Sequence, residues 1–465
     1  MKPHPHLPPA PARSRRALLA CAMALAVATG AAPSPAGAQT LGFIRDTEIE
    51  NLLNDYSKPI FRAAGLGSGH IKIRMVKHET FNAFVLDANN VYIHTGALME
   101  SETPNQVIGV IAHESGHIAG GHLAQLRERI ARDQTKSLLI KLLGIGLMVA
   151  GGASGGSNAA GAGAGVMMGG DELLMRSILA DRRAQESSAD QAGLKYLTTT
   201  HQSGKGMLET FERFAQQEYI SASGATQDAF VRSHPVAADR LAQLRNAVAK
   251  SPYANQKDPP ELQLRHDLMR AKLAGYLERP TVVFNRYPAS NTTLPARYAR
   301  AIARFFQSGV DAAMPEVDAL IKDRPDYPYF HELKADFLMR AGRPAAAIEP
   351  LRRALKLAGD APLLRTQLAQ ALISAEDTRG LDEAMDLARK SIISDPSPQA
   401  YRLLANGYYK KGRLPEADLA TAEALFLEGD VKQAQIFAKR AQSRLRSGSP
   451  EWIRAGDIVN YKIPT

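Results

Sequence analysis

The order of hydrophobic and polar residues divides the chain into a mixed first part and a purely helical second part. Between Thr47 and Ala64, apolar residues recur at helical spacing, which predicts an amphipathic helix. From Ile71 to Lys77, apolar and basic residues alternate, which predicts a half-buried strand. Two largely apolar runs, 82–86 and 91–94, flank the turn sequence Asp87-Ala88-Asn89-Asn90 and predict a β-hairpin.

A well-marked helix follows the hairpin. Thr103 suits the N-cap, Pro104 suits the first helical position, and Gln106 completes a T-x-x-Q capping box. The helix continues through V-I-G-V-I-A-H-E-S-G-H at 107–117. Helical spacing returns at Asp171 and runs to Leu197.

The segment 138–170 between these helices has a different composition. Its apolar part of roughly a dozen residues leads into a run of Gly, Ala and Ser, and is shorter than the ~20 residues needed to cross a bilayer. Two interpretations stay open. The segment is either a flexible insertion or a mobile lid or membrane-dipping hairpin over the active site, which would give a peripheral membrane contact.

The chain beyond residue 250 is predicted to be helical throughout. Ser251-Pro252 and Asp258-Pro259-Pro260 indicate a linker with irregular helices over 251–296. Over 297–465 a turn residue recurs every 16 to 21 positions, so each helix pair takes about 34 residues, the tetratricopeptide period. An ordinary helical bundle is the alternative. The turn residues are Gly342, Gly359, Gly380, Pro396, Gly412, Gly429 and Gly448.

Composition and charge narrow the class of protein. The 465 residues, 45% hydrophobic and 22% charged, predict two or three globular domains. The net charge of +10 is mild for this length and suits work near an anionic membrane surface. No clustered basic and aromatic stripe is present, which argues against a nucleic-acid partner.

The first 38 residues have the features of an export signal. Arg15-Arg16 precede the apolar run 17–28, and Ala36-Gly37-Ala38 forms a small-x-small cleavage site, which predicts a periplasmic protein cleaved after Ala38. Both the general and the twin-arginine export routes stay open. Cys21 is the only cysteine and lies inside the signal, so any zinc ligands must be His, Asp or Glu.

The H-E-S-G-H sequence carries the candidate chemistry. His113 and His117 are four residues apart, so a helix presents both on one face, where they can bind one Zn²⁺. Glu114 beside them can take a proton from a water molecule. The alternative is a buried helix with two incidental histidines.

A third ligand must come from elsewhere in the chain. Residue 123 is Leu, which excludes the metzincin pattern with its third histidine six residues after His117. Glu186 is the candidate, with Asp190 on the same helical face to accept a ring N–H of a ligand histidine. Taken alone, such a pair also fits a solvated helix face.

These motifs resemble a known family. H-E-S-G-H, then E-S-S-A-D at 186–190, with Asn82-Ala83-Phe84 upstream and His234-Pro235 downstream, resemble the gluzincin peptidases, which include the CAAX prenyl endopeptidases and the membrane heat-shock proteases. The export signal and the repeats narrow the resemblance to the periplasmic β-barrel assembly-enhancing protease group. The resemblance covers nearly the whole mature chain.

The resemblance implies a fold and a set of roles. The expected fold is an α+β zincin-like metallopeptidase domain at 39–250, mostly helical with a small sheet, followed by an all-α tetratricopeptide solenoid. His113, His117 and Glu186 would hold one Zn²⁺ per chain, with Glu114 as general base and Asp190 behind the ligands. Asn82, Ala83 and Phe84 would form the edge strand that pairs with an extended substrate.

Two further histidines are candidates for the site. His122 lies about 140° round the helix from His117, so it is expected to support a ligand from behind or to pack. His234 precedes Pro235 and can reach the site from a loop. It would stabilise the transition state or fill the open metal position at rest, unless it is only part of a turn.

The resulting prediction is an exported zinc endopeptidase that hydrolyses misfolded or stalled outer-membrane proteins. Its repeats would recruit these clients or the outer-membrane assembly machinery. The rival is a periplasmic chaperone or scaffold in which binding by the repeats dominates and proteolysis is residual.

Overall fold

The computed structural model describes residues 42–67, 71–132, 170–221, 230, 233–235, 238–375 and 380–462. The predicted signal peptide and the insertion up to residue 169 lie outside these residues. Within the part of the chain that is described, no helix has the length and apolar character needed to span a membrane.

A small sheet forms next to the H-E-S-G-H helix. Its strands are β1 (Phe43–Ile44), β2 (Lys72–Val76), β3 (Ala83–Asp87) and β4 (Asn90–His94), in the order β1-β2-β4-β3. The predicted strand and hairpin are confirmed. β2 runs parallel to β4, while β3 pairs antiparallel with β4 and lies at the edge of the sheet.

The first domain also contains seven helices in the described residues. They are α1 (Thr47–Ala63), α2 (Thr95–Glu100), α3 (Pro104–Ala119), α4 (His122–Arg132), α5 (Gly170–Thr199), α6 (Lys205–Ser221) and α7 (Ala238–Lys250). α3 is the central one, because Val107, Ile108, Val110 and Ile111 are all buried in the main core of this domain.

The predicted cap of α3 forms with one change. The side chain of Thr103 accepts a hydrogen bond from the N–H of Gln106, as expected. The side chain of Gln106 accepts instead from the N–H of Glu102, at 2.6 Å, one residue before the position that a capping box uses. The start of α3 is therefore held by two hydrogen bonds, one accepted by the side chain of Thr103 and one by the side chain of Gln106.

The linker expected at 251–296 differs from the prediction in that its helices are regular and packed. It contains two regular helices, α8 (Pro260–Leu277) and α9 (Pro280–Arg286). Met269 and Leu273 of α8 are buried in the core of the first domain, while Leu268 and Ala271 are buried in the core of the second. Pro259 and Pro260, two of the prolines that suggested a linker, stand at the start of α8, where proline is well tolerated.

The second domain is the predicted helical array. Its members are α10 (Leu294–Ser308), α11 (Val310–Asp323), α12 (Pro328–Arg340), α13 (Pro344–Ala358), α14 (Pro362–Ser374), α15 (Leu381–Ser394), α16 (Pro398–Lys410), α17 (Leu414–Leu427), α18 (Val431–Gln442) and α19 (Pro450–Asn460). Each helix packs on the next along the chain, as in a tetratricopeptide solenoid.

A buried polar cluster joins the two domains. Glu48 of α1 accepts hydrogen bonds from the hydroxyls of Tyr298 and Tyr327, at 2.9 and 2.6 Å. Nζ of Lys272 lies 3.2 Å from Glu48 and 3.4 Å from Glu332. All of these side chains are buried, so separating the domains would break these hydrogen bonds and ion pairs and expose the cluster to water.

Candidate metal centre

The site forms where α3 and α5 approach each other closely. A Cβ atom on Gly116 would lie 2.8 Å from both Cα and O of Ala189. One on Gly193 would lie 3.2 Å from N of His113. Only small residues allow two helix backbones to come this close. The contact places the histidines of α3 opposite the carboxylates of α5.

The three sequence-predicted metal ligands converge. Nε2 of His113 lies 3.1 Å from Nε2 of His117 and 3.4 Å from Oε2 of Glu186, and Nε2 of His117 lies 3.5 Å from Oε1 of Glu186. His234 joins them, and the four donor atoms all lie within 4.8 Å of one another. Imidazole and carboxylate donors in a buried cluster suit a divalent transition metal, so the residues fit a metal ion.

The carboxylates of the cluster favour a positive charge among the donor atoms. Burial alone would lower the pKa of His113, but Asp190 and Glu186 outweigh it and raise the pKa to about 10. Burial would raise the pKa of Glu186, but His234 and His113 together hold that pKa well below its usual range. Burial and the neighbouring His113 lower the pKa of His117. The centre therefore keeps the carboxylate of Glu186 ionised and His117 neutral, as metal ligation requires, while His113 carries a proton that a metal ion would have to displace.

Glu114 lies beside the cluster rather than in it. Its side chain is 1% exposed, and Oε1 has no hydrogen-bond partner among the residues that the structure describes. Burial raises the pKa of this carboxyl, although His234 and His113 oppose the shift. A buried carboxylate with a raised pKa and a free acceptor atom is suited to taking up and returning a proton.

Asp190 supports the cluster from behind. Its Oδ1 lies 3.0 Å from Nδ1 of His113, on the side of the ring that faces away from the other donors. Arg240 of α7 binds both oxygens of Asp190, with hydrogen bonds of 2.7 and 2.9 Å. Arg240 is a site residue that sequence reasoning missed. The sequence feature that could have indicated it is an arginine five residues after Pro235.

His234 enters the centre from the segment before α7. Its Nδ1 lies 3.1 Å from Oε2 of Glu186 and 3.2 Å from Nε2 of His113. Its Nε2 lies 3.4 Å from Oε1 of Glu114 and 3.3 Å from the backbone oxygen of Ala83. The ring therefore lies between the metal ligands, Glu114 and the edge strand, which contradicts the interpretation of a bare turn.

The expected helical position of His122 is wrong, because α3 ends at Ala119. His122 begins the separate helix α4, and the turn between the two helices carries its ring back to α3. Nδ1 of His122 lies 2.9 Å from Nδ1 of His117. Burial lowers the pKa of His122. The ring thus contacts the candidate ligand His117 although it does not continue the same helix.

The edge strand β3 borders the centre, and no other strand of the described residues pairs with its outer edge. The N–H of His94 donates to the oxygen of Asn82, so in this antiparallel pair the N–H and C=O of Ala83 point away from β4. That oxygen is the one His234 approaches. Asn82 and Phe84 are buried, and Nδ2 of Asn82 has no hydrogen-bond partner in the described part of the chain.

Comparison with known proteins agrees with this geometry. Residues 45–248 match peptidase family M48, and residues 298–362 match the tetratricopeptide repeat family. The chain carries an M48 peptidase domain. It is thus a metallopeptidase with C-terminal tetratricopeptide repeats, which confirms the class and the fold predicted from the sequence.

Several curated proteins are similar to this chain. The β-barrel assembly-enhancing protease of Yersinia pestis is 24% identical over 399 residues, which cover 82% of this chain and 76% of that protein. The Escherichia coli K12 protein of the same name is 23% identical over 389 residues, with the same coverage. Metalloprotease LoiP of E. coli K12 is 26% identical over 201 residues, 42% of this chain and 72% of that protein.

Proposed function

We propose that this chain is a zinc endopeptidase of the bacterial envelope. The observation that carries the proposal is the convergence of His113, His117 and Glu186 from two helices, with Glu114 buried beside them. Two histidines and a glutamate are a donor set of catalytic zinc sites, which keep one position open for water. We place the metallopeptidase domain at 39–250 and the repeats at 297–465.

The chain's own residues support hydrolysis of a peptide bond. A bound Zn²⁺ would supply Lewis acidity to a water molecule and to the scissile carbonyl. Glu114 takes the proton of the attacking water and returns it to the leaving amine, a transfer that its raised pKa favours. Asp190, fixed by Arg240, holds the ring of His113 in the orientation that ligation needs.

An extended substrate would pair with the free edge of β3. The outward N–H and C=O of Ala83 can form ladder hydrogen bonds with a peptide backbone, by β-augmentation. Asn82 and Phe84, the neighbouring residues in the predicted substrate site, fix this strand through their burial. Main-chain pairing of this kind suits unfolded segments of many sequences.

His234 would fill the open metal position when the enzyme is at rest. Its Nδ1 faces Glu186 and His113, and its Nε2 faces Glu114 and the oxygen of Ala83. A bound substrate would have to contact the same groups, so its binding would require the ring to move away. The transition-state role also considered for His234 requires the ring to stand beside a bound substrate, and these contacts favour the resting role.

The clients are proposed from the relatives. Proteins named for the assembly of β-barrels are similar to this chain over about four fifths of its length, 82%. We infer that its clients are misfolded or stalled outer-membrane proteins and that the repeats recruit them or the assembly machinery in the periplasm. The segment 138–170 would supply a peripheral membrane contact.

Replacement of the base separates an enzyme from a scaffold. Glu114→Gln removes the proton acceptor and keeps the ligands, so the variant should retain zinc and lose cleavage of casein and of urea-unfolded outer-membrane protein, by a factor of about 10² or more. Equal activity in both proteins would refute the enzyme proposal. If neither protein cleaves but both suppress client aggregation, the chaperone or scaffold interpretation is the correct one.

A further inference from the structure

The turn after α3 is built around the ring of His122. Gly120 ends the helix, and Gly121 has a φ of +63°, a conformation that favours glycine. A Cβ atom on Gly120 would overlap Nε2 of His122, so any larger residue there would displace the ring. The sequence Gly-Gly-His therefore returns His122, 8% exposed, to the end of the helix that carries the candidate ligands.

The two imidazoles meet at the nitrogen of His117 that faces away from the centre. Nδ1 of His122 lies 2.9 Å from Nδ1 of His117, with the ring planes at 81°. The other nitrogen of His117, Nε2, lies 3.1 Å from Nε2 of His113 and 3.5 Å from Oε1 of Glu186. A neutral imidazole that ligates a metal through Nε2 carries its proton on Nδ1 and must donate it to an acceptor.

We propose that His122 is a positioning residue that accepts the Nδ1–H of His117 and holds Nε2 toward the metal. The assignment rests on the proposed function, because it requires His117 to be a zinc ligand. His113 is oriented by the carboxylate of Asp190. The two histidines of one helix are therefore held by different acceptors, and His117 has an imidazole where ligand histidines usually have a carboxylate, a carbonyl or a water.

Zinc affinity of the full chain, measured by competition with a chelator, tests the assignment. His122→Phe keeps a ring but removes the acceptor, and should weaken zinc binding by about 10- to 100-fold. His122→Asn places an amide oxygen near the position of Nδ1 and should recover most of that loss. Gly120→Ala keeps both imidazoles but displaces one, so it should weaken binding as His122→Phe does. Ala124→Ser, exposed on the same helix, should bind zinc as the wild type does.

The outcomes separate the assignment from a packing role. Wild-type zinc affinity in His122→Phe overturns it. So does an Asn variant that binds no better than the Phe variant while both keep the circular dichroism and melting temperature of the wild type. If His122→Phe does not fold, wild-type affinity in Gly120→Ala overturns it instead. A wild-type chain that binds no zinc refutes the proposed function rather than this assignment.

Discussion

Arg240 holds Asp190 through two parallel hydrogen bonds, from Nε at 2.7 Å and from the terminal nitrogen at 2.9 Å. Asp190 in turn lies 3.0 Å from Nδ1 of His113. The orientation of one candidate ligand is thus fixed by a residue 127 positions later in the chain, counted from His113 to Arg240.

Arg240→Lys should weaken the metal site without unfolding the domain. Lysine keeps the charge but cannot make the two-pronged contact, so Asp190 gains freedom and His113 is less firmly oriented. We expect zinc affinity and casein cleavage to fall about tenfold. Arg245→Lys on the same helix, in an exposed pair with Glu212, is the matched control and should leave both unchanged. An equal loss in both variants would count against this link.

Gly116→Ala should separate the two halves of the site. The new methyl group would meet the backbone of Ala189, so α3 and α5 must move apart and the distance from His113 and His117 to Glu186 must grow. A misplacement of about 1 Å can cost about 10²-fold in rate, and we expect a loss of that order together with weaker zinc binding. Gly42→Ala, where a Cβ would lie 3.8 Å from Lys77, is the control with normal activity.

His234→Ala should increase the cleavage of casein. The ring contacts Glu186, Glu114 and the oxygen of Ala83, so its removal opens the position that a substrate needs. If the closed state holds 90 to 99% of the molecules, the gain is about 10- to 100-fold. Unchanged cleavage would exclude both active-site roles of His234, whereas a loss would indicate that the ring stabilises the transition state.

Glu332 should make the stability of the protein depend on pH. Burial raises the pKa of this carboxyl from its ordinary value of 4.5 to about 7, although Lys272 opposes the shift, with Asp46 and Glu48 nearby. The folded state therefore binds a proton more tightly than the unfolded state does. The contribution of Glu332 to the free energy of unfolding is greatest below about pH 4.5 and falls as the pH rises to about 7.

Urea unfolding of the wild type and of Glu332→Gln, at several pH values from 4 to 8, measures this contribution. The amide cannot titrate, so the stability of the wild type relative to the variant should decline across that range and then level off. A difference that is constant or grows with pH would contradict the assignment of this titration to Glu332.

The local order of residues determined those parts of the fold that depend only on residues close together in the chain. Helical spacing, the cap at Thr103, alternation in the strands and the spacing of turn residues depend on residues a few positions apart, so the helices, the hairpin and the repeats could be predicted. His113, Glu114 and His117 were found for the same reason, since a single turn of helix presents all of them.

Tertiary structure decided everything that depends on contact between distant segments. The partner of Asp190, the position of His234 and the cluster of Lys272 with Glu48 and Glu332 join residues separated by 48 to 224 positions, and no local pattern encodes such contacts. α8 looked like a linker because its prolines mark a boundary, while the burial of its faces in two cores arises only on packing. The sequence determined which groups are the candidates for the chemistry. Only the close approach of α3 and α5 at Gly116 and Ala189 decided that they meet.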